Sequence, residues 1–287
     1  MERWNQILNE KKRKKKRVIP GFGLSLGIVT AMLGLIVVIP LCTLVIYSAQ
    51  LSFADFISTV TRPRVLSSYA VSFRTAFVAA VIDAVMGTIL AWVLVRHEFP
   101  GKEIMNGIIE LPFALPTAVA GISLTHLTTT NGWVGSFFNR FGIKIAYTTT
   151  GITVALVFIG IPFVVRSVQP VLESLDPQFE EAANILGASS GQTLRHVILP
   201  EIFPALIAGF TTSFARGLGE YGSVVFIAGN TPYKTEIAPL MIMSELQEYD
   251  YASATSIALV MLLAAFVILF VNAVAQSRAS RIVSSIA

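Results

Sequence analysis

Charged side chains set in apolar runs are the residues of this chain best placed to act on something. Arg216 and Glu220 lie four apart in the stretch Arg216-Gly217-Leu218-Gly219-Glu220-Tyr221-Gly222-Ser223, a spacing that puts both on one helix face. The glycines weaken the helix there and let another backbone approach closely. Charge is costly in hydrocarbon, so this face is expected to look inward, either as an ion pair that neutralises itself or beside the path of a translocated anion. Asp83 lies deep in another apolar run and needs a partner or a wet cavity. Arg74 precedes it on the opposite helix face, near enough to the run's outer end to snorkel. Pro112 and Pro116, in Leu111-Pro112-Phe113-Ala114-Leu115-Pro116-Thr117, remove two amide donors and must kink or break their helix; broken helices at membrane depth often border a pathway. The hydroxyls that follow, Ser123, Thr125, Thr128, Thr129 and Thr130, either line its outer part or serve helix packing. Candidate pathway residues are therefore Asp83, Pro112, Pro116, Ser123, Thr125, Arg216, Gly219, Glu220, Tyr221 and Gly222.

A second kind of chemistry, docking, is written in the polar stretch Asp176 to Pro200. Asp176 suits an N-cap with Pro177 at the first helical position, and Glu180 and Glu181 then meet the positive end of the helix dipole. Phe179, Ala182, Ala183 and Leu186 recur at helical spacing as one narrow apolar stripe, and Gly187 ends the helix. Ser189 with Gln192 has the form of a capping box, so a second short helix is expected to run toward Pro200. A helix this short is marginal alone in water, and its stripe is too small to enter a bilayer. Its stability is expected from docking, on another protein or on its own membrane domain.

Enzyme chemistry finds little support. There is no G-x-x-x-x-G-K-[ST] phosphate loop, His97, His126 and His196 are scattered, and His97-Glu98 is not followed by a second histidine at metalloprotease spacing. The single cysteine, Cys42, allows no internal disulfide.

The elements that must position these residues follow from hydropathy. With 54% hydrophobic and 13% charged residues, against roughly 25% charged in soluble domains, the chain is an all-α polytopic membrane protein. Six apolar runs, near 21–47, 69–95, 105–127, 150–169, 201–228 and 251–275, are long enough to span, and the first is an anchor rather than a cleaved signal. Gly160 and Pro162 mark a further bend. Residues 240–246 are too short to span and suit a re-entrant or surface helix. Fourteen Lys and Arg fall on the side of the N-terminus and five on the other, which places both termini and the loop 170–200 in the cytoplasm. The basic segment 1–20, with its run Lys11 to Arg17, is explained by this topology rather than by nucleic-acid binding, and residues 276–287 form a cytoplasmic tail.

Glu181-Ala182-Ala183, then Gly187, Val197 and Leu199-Pro200, resemble the EAA loop of ABC-importer permeases, with Val197 where isoleucine is usual. That resemblance makes Phe179, Glu180, Glu181, Ala182, Ala183, Leu186, Gly187, Ala188, Leu199 and Pro200 the coupling element for an ATP-binding subunit. LPFALPTAVAGI, FIGIPFVVRSVQPVLESLD, FARGLGEYGSVVFIAGNTP, KTEIAPL and YDYASATSIALVMLL, together with this loop, resemble the T-type permease subunit of sulfate/thiosulfate ABC importers. The resemblance covers roughly 68–275. It implies the six-helix type I importer fold in a bacterial inner membrane or a related organelle. It also implies a W-type permease partner, two ATP-binding subunits that hold the ATP this chain does not, and an extracytoplasmic sulfate-binding protein. Molybdate and tungstate permeases share parts of the pattern. An ion-coupled secondary transporter using Asp83, Arg216 and Glu220, and a scaffold without transport, are the rival readings.

Overall fold

Residues 22–286 are described by the computed structural model, and they form helices joined by turns, with no strand among them. In chain order the helices are α1 (Phe22–Ser48), α2 (Phe53–Val60), α3 (Pro63–Arg96), α4 (Lys102–Ala114), α5 (Thr117–Thr128), α6 (Trp133–Asn139), α7 (Thr149–Ser174), α8 (Pro177–Ile185), α9 (Ser190–Leu218), α10 (Val224–Ile227), α11 (Ala238–Gln247) and α12 (Tyr251–Ile286). The chain divides after Ile46 into two units. The basic segment 1–20 lies outside the described residues.

In the first unit, α1 is an uncharged apolar helix with a widened π-turn at Gly34–Val38. Pro40 explains the turn: it lacks an N–H and its ring would strike the carbonyl one turn back, so the turn widens to admit it.

In the second unit, α3, α7 and α9 pack together. Small residues bring them close. A Cβ on Gly87 of α3 would stand 2.8 Å from the Val164 Cβ of α7, and one on Gly209 of α9 would stand 2.8 Å from the Val164 Cα. Around these contacts lie two buried clusters. One holds Ala76, Ala80, Ile152, Ala155, Phe214 and Leu218; the other holds Ala91, Leu94, Val164, Val168, Leu172 and Ile202. The segment leading into α11 is tied to α3 by a two-point ion pair, in which Arg64 Nε and Nη2 donate to the buried Glu236 at 2.8 and 2.7 Å. Burial pushes the Glu245 carboxyl of α11 up from its ordinary value, and Arg62, 3.6 Å away, opposes that.

Several helix limits differ from the apolar runs. α3 starts at Pro63, six residues before the run at 69, because Pro63 serves as a helix start. The run 105–127 is two helices bent by 112°, α4 ending at Ala114 and α5 beginning at Thr117. Of its two prolines, Pro112 stays inside α4, and the break falls at Leu115 and Pro116. α7 continues as one helix through Pro162 and Pro170. The run 201–228 ends as a helix at Leu218, and only α10 follows within it. At its other end, the expected short helix before Pro200 is continuous with the span as α9. A π-turn at Leu194–Ile198 makes room for Pro200, as at Pro40. The tail 276–286 prolongs α12.

Candidate functional site

Two places carry the residues singled out above. The first is the hairpin α8–α9. The Asp176 carboxylate accepts the Gln178 N–H at 3.0 Å, so α8 is capped, with Pro177 in its first turn. At the other end the Gly187 N–H donates to the Asn184 carbonyl and the Ala188 N–H to the Ala183 carbonyl, both at 3.0 Å, with Gly187 at φ +85°. This is a Schellman stop, and the left-handed residue it requires is the glycine. Ser189 begins the next helix, its N–H donating to Gln192 Oε1 at 2.8 Å.

The hairpin leaves its apolar residues uncovered. Phe179 is 60% and Leu186 87% exposed, and Ile185, outside the expected stripe, is 86% exposed. Glu181, Ala182, Gly187, Leu199 and Pro200 are exposed, and Ala183 and Ala188 half-buried. A cavity of about 360 Å³ opens between the arms, lined by Ala183, Leu186, Gln192, Thr193 and His196 among others. Glu180 departs from the group: it turns back to Arg96 at the end of α3, at 2.6 Å.

The second place is where two breaks in the helices meet. α9 stops at Leu218, and the Arg216 guanidinium reaches Glu220 Oε2 at 2.6 Å. Glu220 is 2% exposed, and its Oε1 also accepts the Ser223 N–H and hydroxyl at 2.9 and 3.0 Å. A Cβ on Gly222 would collide with the Thr117 hydroxyl, and one on Gly121 with the Ser223 backbone. The glycine-rich break after α9 is thus pressed on the start of α5, just past the Leu115–Pro116 break. Gly222 is the glycine that close approach requires, whereas a Cβ on Gly219 would meet nothing nearer than 4.0 Å.

Among the other pathway candidates, Pro116 and Tyr221 lie in the two breaks themselves, and the rest are not gathered there. Asp83 is fully buried between α3, α7 and α9: Ser213 Oγ donates to its Oδ2 at 2.6 Å, and Gly160 leaves room for the carboxyl. Thr125 bonds back to the Gly121 carbonyl at 2.7 Å within its own helix. Ser123, Pro116 and Tyr221 are exposed, and Pro112 is half-buried in α4. Arg74 is exposed on α3. A charged contact absent from the sequence reasoning joins Glu110 of α4 to Arg166 of α7. Its only signal was an acid beside Leu111-Pro112 in an apolar run.

Both places are assembled by membrane-type helices, and comparison with known proteins agrees. The family model described as "binding-protein-dependent transport system inner membrane component" matches residues 83–282. The chain belongs to this family. Among curated members, a protein named sulfate transport system permease protein CysT from Salmonella typhimurium is 50% identical over 266 residues, 93% of this chain and 96% of that one. A protein of the same name from Synechocystis sp. is 47% identical over 237 residues, 83% of each. This inner membrane component also shares its fold with solved ABC transporters. One, involved in the import of the acidic polysaccharide alginate, superposes with a TM-score of 0.74 at 16% identity, covering 97% of this chain and 99% of that one. The MetNI methionine ABC transporter gives 0.58 at 17% identity, covering 74% of this chain and 94% of its own.

Proposed function

We propose that this chain is the membrane permease subunit of an ATP-driven importer of sulfate and thiosulfate. The observation that carries the reading is the 50% identity, over nearly the full length of both chains, to a protein named as a sulfate transport permease. Such a chain forms half of a passage with a second, W-type permease. It receives its anion from an extracytoplasmic sulfate-binding protein and takes its drive from two ATP-binding subunits.

The α8–α9 hairpin supplies the docking element. α8 is a nine-residue helix with no buried side chain among the described residues and with Phe179, Ile185 and Leu186 uncovered, a surface that needs a partner to be stable in water. The excess of Lys and Arg on the side of the N-terminus puts both termini and this hairpin in the cytoplasm, where ATP is available. The meeting point of the two breaks, with Arg216, Glu220, Tyr221 and Gly222, borders the anion path.

The test is uptake of labelled sulfate by vesicles that hold the whole assembly. Uptake is expected only with binding protein outside, ATP inside and the ATP-binding subunits present. Uptake by this chain alone, driven by a proton or sodium gradient, would overturn the proposal, as would uptake of molybdate in preference to sulfate.

A further inference from the structure

Glu180 is the one carboxylate of the hairpin turned toward the membrane helices, and it meets a prepared partner. Arg96 is the last residue of α3, and its Nη2 stands 2.6 Å from Glu180 Oε1 in the first turn of α8. The same nitrogen donates to the Leu175 carbonyl at 3.4 Å, and Leu175 caps the C-terminal end of α7. One guanidinium therefore joins the ends of α3 and α7 to the start of α8. The two side chains are 18% and 24% exposed, so water and salt screen them less than a free surface pair. Glu180 also suits the positive end of the α8 dipole.

Nothing else of this kind holds α8. Among the described residues no other ion pair links it to the rest of the chain. It has no described buried side chain, and at its far end Gly187 is a bend with open space around it. A helix so attached can pivot about its two ends unless it is tied from the side.

We infer that Arg96 and Glu180 form a latch that fixes the angle of α8 on α3 and α7, making Arg96 a positioning residue for coupling that lies outside the docking stretch. The inference rests on α8 being the docking helix. Without the latch α8 still binds its partner, but movement of that partner turns α8 instead of moving α3 and α7.

The experiment compares Arg96→Glu, Glu180→Arg and the double exchange in the reconstituted importer, reading sulfate taken up per ATP hydrolysed. Coupled pairs of this type are worth a factor of about ten, so each single change is expected to lower that ratio about tenfold. The double exchange is expected to recover at least half of it. Release of the ATP-binding subunit by a single change would count against the latch, since α8 is expected to keep its partner without it. Single variants with the wild-type ratio, or losses the exchange does not repair, would overturn it. Amide exchange across 178–186 in the purified chain gives a readout independent of transport: Arg96→Ala is expected to speed it and Arg195→Ala to leave it unchanged. Equal rates in both would sink the latch even if transport proceeds as proposed. Failure of the wild-type chain to carry sulfate would instead sink the proposed function and leave this measurement standing.

Discussion

At the scale of residues, Arg216 and Glu220 are unequal partners. The Glu220 side chain is 2% exposed and that of Arg216 38%, so the carboxylate depends on the pair more than the guanidinium does. Arg216→Leu leaves a buried charge with only the two donors of Ser223, and breaking such a pair costs about 3–5 kcal/mol. Glu220→Leu leaves a guanidinium that can turn outward, and a Ser223 N–H without its acceptor. We expect Arg216→Leu to lower the yield of assembled complex more than Glu220→Leu, and the double change to restore yield without restoring sulfate uptake. Equal losses from the two single changes would contradict this burial argument, and full uptake by the double variant would make the pair purely structural. Asp83 shows what types and spacing leave open: its carboxyl is enclosed by Ser213 and the Gly160 backbone from two helices more than 70 residues away in sequence.

At the scale of elements, the limits of helices carry the function. Gly187 holds φ +85° with nothing within 4 Å of where a Cβ would stand, so a substitution there acts through the backbone alone. For a β-branched residue this conformation costs about 1–3 kcal/mol. Gly187→Val is expected to preserve membrane insertion and lose most uptake, with Gly187→Asn milder because asparagine tolerates left-handed backbone. Uptake near wild type in Gly187→Val would remove the bend from the coupling path. α12 begins with a second informative cap. The Ser253 N–H donates to the Asp250 carboxylate at 2.9 Å, and the hydrogen bonds from Ser253 hold that carboxyl below its usual range. A lowered pKa stabilises the fold above the unfolded value and loses that stability as pH falls through the folded one. Asp250→Ala is therefore expected to cost about 1 kcal/mol at neutral pH, with the gap from wild type beginning to narrow only as pH falls below about 4 and closing below the lowered folded value. Thermal unfolding of the detergent-solubilised chain from neutral pH down to about pH 2 would show it; a gap that persists unchanged at the acid end would refute the cap.

At the scale of the whole molecule, topology is the testable quantity. In a Cys42→Ala background, Asn139→Cys and Ser190→Cys place single thiols at exposed positions on opposite sides of the proposed membrane. A membrane-impermeant maleimide added to intact cells is expected to label the first only. Labelling of Ser190→Cys would invert the orientation. Helical class, the apolar runs and the capped hairpin were legible in the sequence because hydropathy, caps and the Gly187 stop are local: the residues that decide them lie within a turn or two of one another. Local rules also located the break near Pro116, and they marked the glycine-rich stretch around Gly219 as a weakened helix without ending the span there. They could not say that the breaks meet, that Gly222 presses on Thr117, that Asp83 faces Ser213, or that Arg96 holds Glu180, because each of those contacts joins residues far apart in the chain. Such pairings are set by which helix faces pack together, and small residues at Gly87, Gly160 and Gly209 allow that packing without naming the partner. The chain's own order determined its helices, the caps of the hairpin and its membrane character; tertiary packing alone decided which of its charged side chains are buried together and which are left to meet another protein or an anion.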